Sequence, residues 1–108
     1  MEDITFEEFK KLDIRTAKIL TVEDIPGADK IYLLTVDLGA EQRKLVAGIK
    51  LNYPPDSLVG KTIVVLANIA PKVIRGVESH GMLLAVRVEN DVTVLTVDKD
   101  VPIGMAIT

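Results

Sequence analysis

IYLLTVDL, residues 31–38, is the stretch in which apolar side chains alternate most regularly along the sequence. Tyr32, Leu34, Val36 and Leu38 occupy every second position, so their side chains point to the same side of an extended chain. This period of two is typical of a β-strand with one face on a hydrophobic core. The segment therefore predicts a strand of a sheet, and the rest of the chain is expected to supply its neighbours.

Strand patterns occur on both sides of this segment, separated by turn residues. The first, Ile14–Val22, loses its alternation between Ile19 and Leu20, which predicts a β-bulge or a strong bend. Residues 70–81 contain proline, glycines and polar residues, and they predict a loop. Further strands are predicted at residues 43–47, 62–69, 82–88 and 92–97, the last preceded by a tight hairpin at Asn90-Asp91.

Two short helices are predicted. Thr5 and Glu8 have the spacing of a capping box, which predicts a helix from Phe6 to Lys11. Phe6 and Phe9 would share one face of that helix, and this face needs cover from the barrel or from a partner chain. Residues 54–60 begin with proline and end with glycine, which predicts a one-turn helix.

These elements predict an all-β fold with a single domain over residues 1–108. The core must be aliphatic, because 48% of the residues are hydrophobic and only 4% are aromatic. Short strands at regular intervals, with one small helix between the third and fourth, favour a closed or nearly closed barrel. The residues alone do not distinguish among small barrels of this kind.

Composition excludes several classes of function. The chain has no cysteine, so it has neither a disulfide scaffold nor a thiolate metal site. It has no apolar run near the roughly 20 residues of a membrane span, and its start does not resemble a secretory signal. We therefore expect a cytoplasmic protein without membrane contact. The net charge is −3, so nucleic-acid binding would require cations gathered on one face.

Catalytic groups are scarce. His80 is the only histidine, and the pairs Glu23-Asp24 and Asp98-Asp100 lie near turns, where solvated carboxylates are common. Ser79 and His80 are neighbours on an extended segment and should point to opposite sides, which disfavours a hydrolase that uses them as a pair. The sequence predicts no catalytic residue, no metal site and no cofactor.

The segment Asn68–Met82 is the main candidate for binding. Lys72, Arg75, Ser79 and His80 lie around two glycines, where cations could meet phosphate and the backbone could approach a ligand closely. A plain solvated loop is the alternative, and the spacing of these residues leaves both interpretations open.

Several motifs in this order resemble one known family. The most specific is RGVESHGMLLA, residues 75–85, with its Ser-x-Gly-Met core. The earlier motifs are DIR at 13–15, ADKIY at 28–32, VAGI at 46–49, LVGK at 58–61 and AN at 67–68. Together they resemble the tRNA-binding domain of methionyl-tRNA synthetases, and the free-standing archaeal-type β subunit in particular.

The resemblance implies a five-stranded oligonucleotide-binding (OB) barrel with a short N-terminal helix, a one-turn helix between strands 3 and 4, and a C-terminal strand extension. It implies non-catalytic, structure-specific binding to the outer corner of tRNA. It also implies a homodimer formed through the N-terminal helix and the C-terminal segment, with the catalytic subunit of methionyl-tRNA synthetase as a further partner. The tRNA-binding residues that it implies are Lys72, Arg75, Ser79, Gly81 and Met82, with Asn68 adjoining. His80, which stands where relatives commonly carry glutamine or glutamate, is a further candidate.

Charge alone adds Lys30, Arg43 and Lys50 to these candidate tRNA-binding residues. A second hypothesis is a chaperone-like homodimer of the same fold, in which exposed apolar residues such as Met82 or Ile103 contact peptides.

Overall fold

A computed structural model describes all 108 residues, and an antiparallel five-stranded sheet forms its body. The order of its strands is β3-β2-β1-β4-β7. Two further two-stranded ribbons, β5–β6 and β8–β9, pack against it, with β6 beside β3 and with Val92 and Val94 of β9 in the core. The strands are β1 Ile14–Asp24, β2 Tyr32–Asp37, β3 Gln42–Ala47, β4 Thr62–Leu66, β5 Lys72–Ile74, β6 Val77–Ser79, β7 Met82–Leu83, β8 Ala85–Val88 and β9 Asp91–Val94.

The long strand β1 is shared between the two sides of the barrel. Its first half pairs with β4 and its second half with β2, and the register with β2 shifts between Ile19 and Thr21. This shift is the predicted bulge, and it bends the strand so that both pairings are possible. The C-terminal segment occupies the other edge of the first half, where the N–H of Ile107 donates to the carbonyl of Ile14 at 2.8 Å. The C-terminal segment thus extends the sheet through a single antiparallel bridge, between Arg15 and Ala106.

Contacts between β3 and the chain around β6 and β7 nearly close the barrel. The N–H of His80 donates to the carbonyl of Lys44 at 2.9 Å, and the N–H of Val46 donates to the hydroxyl of Ser79 at 3.0 Å. A 3-10 turn at Pro55–Ser57 connects β3 to β4, in the position where a one-turn helix was predicted. The prediction of an OB-like barrel is confirmed.

The core is aliphatic, as composition predicts. The alternation of β2 places Tyr32, Leu34 and Val36 inside, each with at most 3% of its surface exposed. Residues from the other strands meet them there, among them Ile19, Leu45, Ile63 and Val65. Because β2 has one buried face, a shift of one residue in its pairing would expose this whole set, which holds the register in place.

The N-terminal helix α1 extends from Phe6 to Phe9 and is shorter than the predicted Phe6–Lys11. Its capping box is present, since Thr5 and Glu8 each accept the other's backbone N–H at 3.1 Å. Phe6 remains 70% exposed whereas Phe9 is partly buried, so the apolar face of α1 is covered only in part. No helix of the structure combines the length and the apolar character required to cross a bilayer.

Three sequence predictions were wrong in detail. Residues 70–81 are not a loop, because they contain the hairpin of β5 and β6. The predicted fifth strand, residues 82–88, breaks at Leu84 into β7 and β8. The last hairpin turns at Glu89-Asn90 rather than Asn90-Asp91, since Val88 pairs with Asp91. Glu89 has a positive φ of 55°, and a glutamate at such a position gives no turn signal in sequence.

Candidate nucleic-acid interface

Residues 72–79, which include the start of the motif at residues 75–85, fold as a tight hairpin. Lys72 pairs with Ser79 and Ile74 with Val77, which leaves Arg75 and Gly76 as a two-residue turn. Both turn residues have positive φ, 52° and 77°, as a type I′ turn requires. Asparagine and glycine are the usual residues there, whereas a left-handed conformation costs another L-residue about 1–2 kcal/mol. A strained arginine at an exposed tip is a pattern associated with functional sites.

The cations of this hairpin are not neutralised by neighbouring carboxylates. Lys72 and Arg75 are exposed and form no ion pair. They lie three residues apart on extended chain, so their Cα atoms are separated by about 10 Å. Lys30, another predicted site residue, also forms no ion pair, and it lines a shallow cavity of about 370 Å³ together with Arg75 and Asp29. The structure therefore brings Lys30 close to the hairpin tip. We call Lys30, Lys72 and Arg75 the hairpin cations.

Ser79 anchors the base of the hairpin to the barrel. Its side chain is buried, and its hydroxyl accepts the N–H of Val46 and donates to the carbonyl of Gly81 at 3.2 Å. The hydroxyl thus donates one hydrogen bond and accepts another within the protein. Ser79 can position the hairpin against β3, but its hydroxyl is not free to meet a ligand. For the same reason it is not poised as a nucleophile for His80.

Gly81 is required by packing. It is buried with a φ of 140°, and a Cβ added there would lie 2.8 Å from the Leu45 side chain and 3.3 Å from the carbonyl oxygen of Leu66. The absence of a side chain lets β7 approach β3 and close the barrel. Met82 follows on the outer side with 42% of its surface exposed, and it borders a mostly apolar groove of about 310 Å³.

Two of the cations predicted from charge alone are engaged within the protein. Arg43 donates to the carbonyl oxygen of Ala67 and to the Glu41 carboxylate, the second at 2.8 Å. The ammonium of Lys50 lies 3.0 Å from the Asp24 carboxylate. Both cations are therefore partly compensated and are poorer phosphate ligands than the hairpin cations.

Asn68 connects the N-terminal segment to the chain that leads into the hairpin. Its side-chain oxygen accepts the N–H of Asp13 at 2.9 Å, and its side-chain nitrogen donates to the carbonyl of Lys11 at 2.6 Å. The Asp13 carboxylate in turn accepts two hydrogen bonds of 2.8 Å from Arg15, and this contact raises the pKa of the guanidinium. Asn68 therefore holds the chain following α1 against the end of β4.

A groove of about 990 Å³ lies beside the hairpin, between the start of β3, residues 68–71 and β6. It brings together three of the predicted residues, Asn68, Arg43 and His80. The imidazole Nε2 of His80 lies 3.1 Å from the Glu78 carboxylate. Sequence reasoning missed Lys44, an exposed cation without an ion pair that also lines the groove. Lys44 lies near the start of the strand predicted at residues 43–47, and a cation beside a turn was the sequence feature that could have identified it.

No three His, Asp or Glu side chains are grouped in a way that could hold a metal ion. The polar groups of the site are thus cations, amides and one imidazole. This set can contact phosphates, sugars and base edges, whereas nothing in it forms an activated nucleophile.

Comparison with known proteins agrees with this arrangement. The family described as "Putative tRNA binding domain" matches residues 14–106. The chain is 51% identical over 104 residues to a methionine–tRNA ligase of Pyrococcus horikoshii and 45% identical over 105 residues to that of Thermotoga maritima. These matches cover 96% and 97% of the chain, but only 14% and 17% of the two ligases.

Solved structures show the same fold over the entire length. A MetRS-related protein from Pyrococcus horikoshii superposes with a TM-score of 0.93 at 35% identity, covering 100% of both chains. The chaperone CsaA from Bacillus anthracis superposes with a TM-score of 0.88 at 29% identity, covering 99% of this chain and 100% of that one. The family match extends over most of the sequence, and the chain belongs to the tRNA-binding domain family.

Proposed function

We propose that this chain is a non-catalytic, structure-specific tRNA-binding module that acts beside methionyl-tRNA synthetase in the cytoplasm. The observation that carries the proposal is the hairpin of β5 and β6, which presents cations without ion pairs on an otherwise acidic chain. The identity to methionine–tRNA ligases supports the choice of partner. A module of this kind would raise the local concentration of tRNA near an active site on another domain or subunit.

The hairpin cations suit contacts to the phosphate backbone of folded RNA. Phosphate contacts fix orientation and carry little sequence information, so recognition would follow the shape of tRNA, at its outer corner. The net charge of −3 opposes long-range attraction, and affinity must come from local contacts. With three such cations, the logarithm of affinity should fall with the logarithm of salt with a slope of about −2 to −3.

The test is a titration of tRNA binding at several salt concentrations. Arg75→Ala should weaken binding and reduce the magnitude of the salt slope by about 1, because one phosphate contact is lost. Lys99→Ala is the control, since Lys99 is likewise exposed, forms no ion pair and lines none of the cavities that hold the proposed binding residues. An Arg75→Ala variant with unchanged affinity and slope would refute this role of the hairpin.

We also propose that the chain forms a homodimer through α1 and the C-terminal segment. Ile4 and Phe6 are 64% and 70% exposed, and Met105 near the other terminus is 51% exposed. Burial of such apolar surface favours association. Thr5→Ala, which removes the cap of α1, should cost about 1 kcal/mol of stability and weaken the dimer. Sedimentation velocity over a range of concentrations tests this, and a monomer at all concentrations would contradict the proposal.

A peptide-binding, chaperone-like role is the second candidate. The groove beside Met82 is lined mainly by apolar residues, among them Val46, Ile49 and Leu84, and a solved neighbour is a chaperone. Ile103, the other residue proposed for peptide contact, is only partly exposed. Peptide binding that depends on Met82, in a chain that binds no tRNA, would favour this candidate over the first.

A further inference from the structure

The groove beside the hairpin has a charge balance unlike that of the hairpin tip. Its lining includes two cationic or basic side chains that each meet a carboxylate, Arg43 with Glu41 at 2.8 Å and His80 with Glu78 at 3.1 Å. Lys44 is the one cation of the lining without an ion pair. A run of phosphates would meet two carboxylates there, so the groove suits a nearly neutral polar group better than an anion.

Two planar side chains border this groove and are held in place. The guanidinium of Arg43 is fixed by the carbonyl of Ala67 and by Glu41, and its side chain is 26% exposed. The imidazole of His80 is held by Glu78, and its side chain is 45% exposed. Both arginine and histidine planes serve as stacking partners for nucleobases in RNA-binding proteins.

Other stacking surfaces are absent from the groove. Tyr32 is 3% exposed, and its hydroxyl donates to the carbonyl of Tyr53 at 2.7 Å. Tyr53 packs against the core, with its own hydroxyl accepting from the N–H of Val94. The two phenylalanines lie on α1, with ring centroids 6.5 Å apart. Among the residues that line the groove, Arg43 and His80 therefore supply the guanidinium and imidazole planes.

We propose that the groove holds one unpaired nucleobase of the RNA, packed against the planes of Arg43 and His80, while the hairpin cations hold the adjoining phosphates. Apolar side chains of the lining, Leu33, Ile69 and Val77, provide the rest of the contact surface for a ring. The volume of about 990 Å³ is sufficient for a nucleotide, since ligand pockets commonly measure about 300–1,000 Å³. The inference rests on the proposed function, and it adds that the chain recognises an unpaired base of the RNA.

The test uses paired substitutions at His80, an exposed residue outside the core whose imidazole makes its polar contact with the exposed Glu78. His80→Ala should lower tRNA affinity roughly five- to tenfold and leave the salt slope unchanged, since a stacking contact releases no counterions. His80→Phe keeps a plane without charge and should retain most of the affinity. Arg43→Lys keeps the charge without the plane and should resemble His80→Ala, whereas Lys72→Ala should reduce the slope.

The outcomes separate this inference from the proposed function. If the unaltered chain binds no tRNA, the proposed function fails and the inference fails with it. If tRNA binds normally and His80→Ala has no effect, or His80→Phe loses as much as His80→Ala, the nucleobase pocket alone is refuted. A reduced salt slope in His80→Ala would also refute it, because that result identifies a phosphate contact.

A second measurement needs no tRNA. Nucleoside 5′-monophosphates at tens of millimolar should shift the amide NMR signals of Leu33 and Ile69, two apolar residues of the lining, whereas ribose 5-phosphate, which lacks the base, should not. The expected shifts support the pocket. Equal shifts from both compounds, or none from the nucleotides, overturn it.

Discussion

Replacing Gly81 by alanine tests whether this glycine serves the packing of the barrel. The new Cβ would lie 2.8 Å from the Leu45 side chain and 3.3 Å from the carbonyl oxygen of Leu66, in a backbone conformation with φ of 140°. Such a backbone position costs a non-glycine residue about 1–3 kcal/mol, and overpacking of a dense core costs about 1–3 kcal/mol more. The expected loss in the free energy of unfolding is therefore about 2–6 kcal/mol.

Thermal and urea unfolding measure this loss. At about 4 °C per kcal/mol for a chain of this size, the midpoint of thermal unfolding should fall by roughly 8–24 °C. Gly27→Ala is the matched control, because Gly27 also has a positive φ, 78°, but a Cβ there meets nothing within 4 Å. The control should lose only about 1–2 kcal/mol. Equal losses in the two variants would refute the packing role of Gly81.

Two further substitutions test contacts that fix the hairpin. Ser79→Ala leaves the N–H of Val46 without its partner and should cost about 1–3 kcal/mol, whereas Ser57→Ala, an exposed control, should stay within about 0.5 kcal/mol in urea unfolding. Asn68→Ala removes the hydrogen bonds to Lys11 and Asp13 and should cost about 1–2 kcal/mol. Amide exchange should then be faster at residues 11–13 than in Asn90→Ala, and equal exchange in the two variants would contradict the role of Asn68.

The sequence correctly predicted those structural elements that are determined by residues lying close together in the chain. The alternation of residues 31–38 identified β2 because one of its faces is buried and the other is not. The loss of alternation after Ile19 identified the bulge, and the spacing of Thr5 and Glu8 identified the helix cap. In each case the residues that make the structure lie within a few positions of each other. The overall barrel required the resemblance to a known family, since several small barrels share these patterns.

Long-range partners could not be read from the sequence. Ser79 bonds to Val46, 33 residues earlier, and Arg43 bonds to the carbonyl of Ala67, 24 residues later. The family resemblance implied Ser79 as a tRNA contact and charge alone added Arg43, and only the fold shows that their polar groups are used inside the protein. The hairpin of β5 and β6 was missed because its turn carries arginine where asparagine is the usual signal. Whether each predicted residue contacts tRNA stays a prediction.

The central claim is that the hairpin of β5 and β6 is the surface that meets tRNA. Hydrogen–deuterium exchange of the unaltered chain, with and without saturating tRNA, tests it most directly. Bound tRNA should slow amide exchange at residues 72–79, while the ribbon of β8 and β9 exchanges as before. Protection confined to that ribbon, with residues 72–79 unaffected, would contradict the account.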